Sequence, residues 1–523
     1  MIIDFFDRGW AANARGTAFQ MGEQAWSYDD AGKLSCQIAN ALLAEGVNGE
    51  TKVAVLTSND VTAWLCVLGI WRAGGVWVPL NAANPITESV ELLDAFDCEI
   101  LIVHPSKAQL VAQVRTRLHK VREIIILGDV CESLPDAIPF EDWIAGISTD
   151  PPAIQRAPDD VALISPTGGT TGKPKGVMNT HRSMSVMLMH LMHLMHAFRY
   201  NENEHIVHLA AAPMTHSAGA FSLAASARGG TVVLIPSPES GEILSTIEKC
   251  RVTEVFLPPT VIYRLLDHPG VTERNFSSLR HLCYGAAPMS LDKLKRSLAV
   301  FGPVMIEAYG QTEAPITIAT LRPEEHFVDG QLAPDARLTS CGRPSPLAKV
   351  STFDAEGNQT KPGIAGEIRV RGDLVMAGYY KDEERTREAI VDGWLRTGDV
   401  GVFDDHGYLT ITDRVKDMIV SGGFNIYPSE IEQVLWSHPA VRDCSVVGAP
   451  DDDWGEAVTA VVELTSDGSV TADELIALCK SRLGSVRAPK RVDFVDCLPR
   501  SNNGKVLKKD VRATYWSGVS RQI

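Results

Sequence analysis

Nowhere in this chain do two cysteines stand in a C-x-x-C pair; its 10 cysteines are scattered over 523 residues. That spacing gives neither a zinc-ligand pattern nor a disulfide framework. Long apolar runs are missing as well, none approaching the roughly 18 residues that a membrane-spanning helix needs. The opening Met1-Ile2-Ile3-Asp4-Phe5-Phe6-Asp7-Arg8 has no basic leader and no long apolar stretch, so no secretory signal is expected. Blocks of basic residues are absent and the formal net charge is −16. A general nucleic-acid binder, which must neutralise phosphates, is thereby excluded, whereas a local pocket for one phosphorylated ligand is not. Neither low-complexity tracts nor internal repeats occur. Together these absences predict a cytoplasmic, reduced, globular protein.

What is present fits that class: 45% hydrophobic and 22% charged residues, over a length that predicts several lobes. Short apolar runs at 52–57, 76–80, 100–103, 124–127, 161–164, 205–209, 231–235, 254–257 and 281–284 read as strands, and 60–73 reads as a helix. Strands alternating with helical patterns predict βαβ units and parallel sheets, an α/β fold. From about residue 346 the strands crowd together (349–354, 366–371, 401–404, 408–412), which predicts a small β subdomain. After Asp413-Arg414 the pattern changes again. Helices at 428–438 and 471–483 with strands at 444–448 and 458–464 predict a small α+β unit.

The most informative stretch is Ser165-Pro166-Thr167-Gly168-Gly169-Thr170-Thr171-Gly172-Lys173-Pro174-Lys175-Gly176-Val177, with four glycines, three threonines and two lysines. Between a buried strand and a following helix, such a loop can turn backbone N–H groups and hydroxyls around a polyphosphate, with Lys175 offsetting its charge. It is not a Walker A loop, because only three residues separate Gly168 from Gly172 and Pro174 follows Lys173.

The pattern T-[SG]-G-T-T-G-x-P-K-G-V resembles the phosphate loop of the adenylate-forming superfamily, which includes acyl-CoA synthetases, luciferases and peptide-synthetase adenylation domains. Glu307-Ala308-Tyr309-Gly310-Gln311-Thr312-Glu313, Tyr284-Gly285-Ala286-Ala287-Pro288, Trp394-Leu395-Arg396-Thr397-Gly398-Asp399, Asp413-Arg414 and Asn503-Gly504-Lys505 resemble further motifs of that family, in its order. The resemblance covers nearly the whole chain. It implies a large N-terminal domain (1–414) of two αβα-type subdomains plus the β subdomain, and a small mobile α+β lid (415–523) carrying the catalytic lysine.

The resemblance also implies roles. Thr167, Gly168, Gly169, Thr170, Thr171, Gly172 and Lys175 would hold the phosphates of ATP. Gly168 stands where many relatives have serine, which removes one hydroxyl donor and leaves the backbone donors. Thr312 would bond a phosphate, and Glu313 would hold Mg²⁺, a hard cation suited to carboxylate oxygen. Gly285, Ala286 and Ala287 would receive adenine, Glu307 and Ala308 border it, and Tyr309 stacks on it. Asp399 and Arg414 would hold the ribose. Lys505 would bridge the substrate carboxylate and the α-phosphate; Ser501 nearby replaces the threonine of many relatives. Lys416 falls at the hinge, and Gly422 and Gly423 would face CoA.

For the acyl group, the resemblance points to His216, Ala220, Tyr284 and Gly310. The segment 212–219 has no acid to bind an amino group, and Ala308 stands where a malonate ligase needs arginine. An uncharged, largely apolar carboxylic acid is therefore expected, fatty, alicyclic, steroid side-chain or aryl. Val420 and Gly422 replace lysines common in luciferases and plant coumarate ligases, which argues against both. The implied activity is an ATP-dependent acyl-CoA synthetase. Alternatives are an acyl-AMP ligase, a carrier-protein loading enzyme, or a nucleotide-binding relative without turnover. The expected partners are the acid, ATP and CoA; a homodimer is compatible with the sequence but not required by it. His190, His193 and His196 recur at a period of three. That period drifts around a helix and no further ligand completes a set, so the stretch reads as the helix after the phosphate loop, its methionines walling the acyl pocket.

Overall fold

Two large sheets are assembled from the strands that the apolar runs mark. In the computed structural model, which describes residues 1–129, 132–167, 175–195, 205–414, 416–451, 453–465, 468–500 and 506–516, one sheet has nine strands and the other eight. The nine-stranded sheet centres on Met305–Gln311, His281–Gly285, Glu254–Phe256, Val207–Ala210 and Thr231–Leu234. The eight-stranded sheet centres on Val161–Thr167, Val76–Asn81, Lys52–Thr57 and Cys98–Val103. Both are parallel through these strands and antiparallel at an edge.

Helices Tyr28–Ala44, Val61–Ala73, His181–Leu194 and Ser217–Ala227 contribute to one core with side chains from both sheets: Val53, Val55 and Trp77 from one, Phe19, Val232 and Ile306 from the other. Separate cores lie on the outer faces, under Ser240–Lys249, Pro259–Leu266 and Leu291–Phe301 on one side and Ile86–Ala95 on the other. The result is layered α/β/α/β/α, two αβα units sharing their middle helices, as the fold class predicts. Val61–Ala73 has the composition such a layer requires. It is apolar on nearly every side, with 12 of its 13 residues buried, so no face seeks water. Asp60 caps its first turn by accepting from Ala63 N at 2.8 Å, and Gly74 ends it in a left-handed conformation (φ 77°).

One expectation is corrected. The Gly/Thr stretch does not join a strand to a helix. Val161–Thr167 is followed by a second strand, Lys175–Thr180, antiparallel to it, and Thr167 and Lys175 face each other at the hairpin's end. The helix His181–Leu194 starts only after that strand, behind a Thr180 capping box. The first strand is marked by its continuous apolar run, whereas the second lacks one and its Lys-Gly start mimics a loop.

The β subdomain is a five-stranded sheet of Lys349–Phe353, Gly366–Arg371, Trp394–Phe403, Ile390–Val391 and Leu409–Arg414. Its strand Trp394–Phe403 absorbs both the predicted strand at 401–404 and the acidic motif before it. That pairing sets Asp399 directly opposite Arg414. The last sheet, built on Val441–Asp451 and Gly455–Leu464, packs under Pro428–Trp436 and Ala472–Leu483 around its own core of Ile431, Leu435, Val446, Val458 and Leu475. Among the described residues no helix is long and apolar enough to cross a membrane.

Candidate active site

Thr312 and Glu313 form the turn between the antiparallel strands Met305–Gln311 and Ala314–Leu321. Three neighbours hold that turn, two of them in strands of the eight-stranded sheet. Asn179, in the second strand of the Gly/Thr hairpin, donates through Nδ2 to the Thr312 carbonyl at 3.2 Å. Met376 N donates to the Glu313 carbonyl at 2.8 Å. Tyr379, whose strand pairs with Lys175–Thr180, donates its hydroxyl to Glu313 Oε1 at 2.8 Å. The Lys175 ammonium lies 5.1 Å from the centroid of that same tyrosine ring, a distance at which the ring attracts it. Lys175, Tyr379 and Glu313 are therefore one connected unit. Burial, and after it the Glu313 carboxylate, push the phenol's pKa up, so it stays a donor.

A second unit lies on the other side of Tyr309. The Tyr309 hydroxyl donates to Asp399 Oδ2 at 2.7 Å, and Arg414 Nε donates to Asp399 Oδ1 at 3.1 Å. Asp399 N donates to Thr397 Oγ1 at 3.1 Å, and Gln311 Nε2 reaches the Thr397 carbonyl at 3.4 Å. Asp399 is buried whereas Arg414 is 45% exposed along its side chain, so the pair opens to solvent on the arginine side. Each carboxylate oxygen has a second lone pair available for a further donor such as a hydroxyl. Lys416, two residues on, has its pKa lowered by burial and then by Arg414.

Gly285 ends its strand against Ala308, whose carbonyl oxygen would collide with any side chain there. Ala286 follows with φ 67°, a left-handed conformation that costs an alanine roughly 1–2 kcal/mol. Ala286 and Pro288 are exposed and small, so a flat ring can approach the backbone. Tyr309 keeps its ring at this edge, 9% exposed. Glu307 pairs with Tyr284 across the sheet and accepts from its hydroxyl at 3.2 Å. Burial without a cationic partner pushes its pKa up to about 8 from 4.5. Between those values the folded chain holds a proton that the unfolded chain has released, so this group lowers stability as pH rises from 4.5 toward 8. Glu307→Gln removes that loss. Thermal melts at pH 5.5 and 8.5 should show a smaller drop in Tm for the variant than for the wild type.

Tyr284 itself requires a correction. Its neighbour Cys283 belongs to the inner core, but Tyr284 points to the outer one and is 0% exposed. It supports Glu307 from beneath and has no surface open to an acyl group. His216 stands at the N-cap of Ser217–Ala227, exposed yet with its pKa lowered by desolvation, the signature of an accessible group deep among protein atoms. Ala220 is one turn on and half-buried. Gly310 is pressed against the backbone of Ile316, whose φ of 61° is left-handed, and no side chain fits between them.

Gly422 and Gly423 are the two-residue turn between Ile419–Ser421 and Phe424–Ile426, with φ of 57° and 81°. Two successive positive φ values define a tight hairpin turn that demands glycine on its own account. Gly422 also donates to the Trp454 carbonyl at 2.9 Å, under the indole ring. His190 is structural. Leu347 N donates to its Nε2 at 3.2 Å and Thr317 Oγ1 lies 3.0 Å from Nδ1, while burial lowers its pKa to about 4. His193 instead faces Arg322 at 3.2 Å, and the two line a cavity of about 400 Å³. No His/Cys/Asp/Glu cluster suited to a metal occurs among the described residues. Gly168, Gly169, Thr170, Thr171, Gly172, His196 and Lys505 lie outside the described residues. The flanks of the Lys505 segment, Arg500 and Val506, form an antiparallel bridge.

Sequence reasoning missed Tyr379 and Asn179. Tyr379 has one signal, the aromatic pair in Gly378-Tyr379-Tyr380 between the strands Gly366–Arg371 and Ile390–Val391; Asn179 has none.

The pattern of the AMP-binding enzyme family matches residues 6–380, and that of the AMP-binding enzyme C-terminal domain matches residues 430–505. The chain belongs to the AMP-binding enzyme family. As a member of this adenylate-forming superfamily it is an enzyme of the AMP-forming acid–thiol ligase class. It is 36% identical to a medium/long-chain fatty acid–CoA ligase of Mycobacterium tuberculosis, over 94% of this chain and 86% of that protein. It is also 36% identical to a feruloyl-CoA synthase of an Amycolatopsis species, over 95% and 96% of the two chains. Among solved structures it is similar to an amide bond synthetase from Marinactinospora thermotolerans, with a TM-score of 0.88 and 30% identity over 98% of this chain and 100% of the other.

Proposed function

We propose that this AMP-binding family enzyme is an ATP-dependent acyl-CoA synthetase for an uncharged, largely apolar carboxylic acid. The carrying observation is the pair of linked units that meet residues 309–313: Tyr309–Asp399–Arg414, joined by hydrogen bonds, and Lys175–Tyr379–Glu313, joined by a cation–ring contact and a hydrogen bond. A nucleotide needs both its ribose and its polyphosphate held, and the two units support that reading.

Adenine lies along Gly285, Ala286 and Ala287 beside Tyr309, with Glu307 and Ala308 bordering it, and the ribose hydroxyls bond Asp399 with Arg414 adjacent. The phosphates are held by Thr167, residues 168–172, Lys175 and Thr312. Glu313 has the hard oxygen donors that suit Mg²⁺, and the bond from Tyr379 orients them. When bound, Mg²⁺ neutralises phosphate charge. One carboxylate oxygen of the acid attacks the α-phosphorus, the bond to the bridging oxygen breaks, and pyrophosphate leaves. Lys505 lowers the repulsion between the two anions as they meet. The thiolate of CoA then attacks the acyl carbonyl, and AMP leaves with the oxygen the acid brought. Residues 1–414 form the adenylating domain and 415–523 a lid that turns about Lys416, bringing Gly422 and Gly423 toward CoA.

His216, Ala220 and Gly310 border the acyl group. Relatives that act on a fatty acid and on a feruloyl group are equally similar to this chain. The absence of lysine at Val420 and Gly422 is therefore no argument against a phenylpropanoid-type acid. A second reading, in which the acyl-AMP passes to another acceptor such as an amine or a carrier protein, draws on the similarity to an amide bond synthetase.

Incubation with ATP, Mg²⁺, CoA and a panel of apolar acids, read by mass spectrometry, tests the proposal. Acid-dependent acyl-CoA and AMP are expected; acyl-AMP accumulating without thioester favours the second reading, and neither product from any acid overturns both. Tyr379→Phe removes a hydrogen bond to a charged group, worth about 1.5–3 kcal/mol. It should lower kcat/KM for ATP about tenfold and raise the Mg²⁺ concentration needed for half-maximal rate. Unchanged Mg²⁺ dependence in a steady-state titration would count against the role given to Glu313.

A further inference from the structure

The helix Pro428–Trp436 packs in the core of the C-terminal sheet, yet one of its faces grips two pieces of the scaffold proposed to hold the nucleotide. Ser429 and Gln433 are four residues apart and so point the same way. Ser429 N donates to Asp413 Oδ2 at 3.0 Å, and its hydroxyl donates to the Thr412 carbonyl. Asp413 is buried and immediately precedes Arg414, whose N donates to Asp413 Oδ1 at 2.7 Å. One turn along the helix, Gln433 Nε2 donates to the Met289 carbonyl at 3.2 Å while Gln433 Oε1 accepts from Leu291 N at 3.4 Å. Between them Ser290 N donates to the Tyr263 hydroxyl oxygen at 2.7 Å. Three consecutive residues of the turn after Gly285–Pro288 thus have a backbone group held, two of them by one side chain reaching across from the C-terminal unit.

We infer that Ser429 and Gln433 are positioning residues that bracket the nucleotide site, one helix fixing the spacing between the strand that carries Arg414 and the turn that follows the adenine-facing segment. Neither residue touches the nucleotide. They act through Arg414 on one side and through residues 285–288 on the other, so this inference rests on the proposed ATP site. Because the bracket comes from the C-terminal unit, seating of that unit and binding of ATP assist each other, and the coupling is reciprocal.

The test is isothermal titration of the full-length chain with Mg·ATP, for the wild type, Gln433→Ala, Gln433→Glu and Ser429→Ala. Gln433→Ala should raise the Kd for ATP about tenfold, equivalent to about 1.4 kcal/mol. Gln433→Glu keeps the acceptor for Leu291 N and loses the donor to Met289, so an intermediate weakening of about threefold is expected. Ser429→Ala loses only the hydroxyl bond, so about threefold is expected there too, and it provides the reading if a Gln433 variant fails to fold. In steady state, KM for ATP should rise while KM for the acid stays within twofold. A purely structural role for the helix would instead lower Tm without ATP and move both KM values together. ATP binding that is indifferent to Gln433 and Ser429 overturns the bracket alone. A wild-type chain with no affinity for ATP overturns the functional reading and the bracket with it.

Discussion

Replacing Lys505 by alanine should slow acyl-AMP formation by about 10²–10³-fold and leave thioester formation from pre-made acyl-AMP within a few-fold of wild type. The first half-reaction brings a carboxylate against a phosphate, two anions in a site with little water. A fixed ammonium between them stabilises the charge that develops at the bridging oxygen, and losing one such preorganised donor costs about 10²–10³ in rate. In the second half-reaction the carboxylate is already esterified and AMP leaves as a stable anion, so the same ammonium has little to do. The two half-reactions can be read separately, as acid-dependent exchange of labelled pyrophosphate into ATP and as release of AMP from synthetic acyl-AMP by CoA. Equal loss of both would remove Lys505 from the role proposed for it.

Asp399→Ala should weaken Mg·ATP binding about 100-fold while the KM for the acid barely changes. This carboxylate accepts from Tyr309 at 2.7 Å and from Arg414 at 3.1 Å, and it is itself buried. Its removal leaves the Tyr309 hydroxyl without an acceptor, a cost of about 1–3 kcal/mol for a buried group. Arg414 is only partly buried, so water replaces most of what it loses. The remaining deficit falls on the nucleotide, which loses the acceptor for its ribose hydroxyls. Asp399→Asn keeps an acceptor oxygen for the tyrosine and should lie between the two. Equal ATP affinity in Asp399→Ala and wild type, measured by titration calorimetry, would show that the ribose is held elsewhere.

Much of this architecture was legible in the amino-acid order because its core strands are continuous apolar runs and its caps are strong. The segments 52–57 and 60–73 are examples, the second bounded by Asp60 and Gly74. The Gly/Thr hairpin was misread locally because Lys175-Gly176, a poor start to a strand by propensity, is held in one by its partner Val161–Thr167 and by Gly378–Tyr379. Tyr284 was misassigned for a different reason. Its strand leads into the small-residue turn at Gly285–Ala287, but a strand alternates faces, and the register with Glu307 puts the Tyr284 ring in the outer core. The contacts of Tyr379 and Gln433 were not legible, because each reaches across more than 60 residues of sequence to the group it bonds, Glu313 in one case and Leu291 in the other. Spacing along a chain carries no signal for such contacts. Conversely, Gly422-Gly423 was legible as a motif but is already required by a hairpin turn, so its glycines alone do not assign a ligand.

The central claim is that the acid is activated by its own oxygen attacking the α-phosphorus of ATP. The most direct measurement supplies an apolar acid labelled with ¹⁸O in both carboxylate oxygens, together with ATP, Mg²⁺ and CoA, and weighs the AMP released. If the acid passes through an acyl adenylate, each AMP formed in the forward reaction carries one ¹⁸O and each thioester retains one. Unlabelled AMP, or ADP in its place, would mean that ATP is cleaved without that bond forming, and would contradict the account.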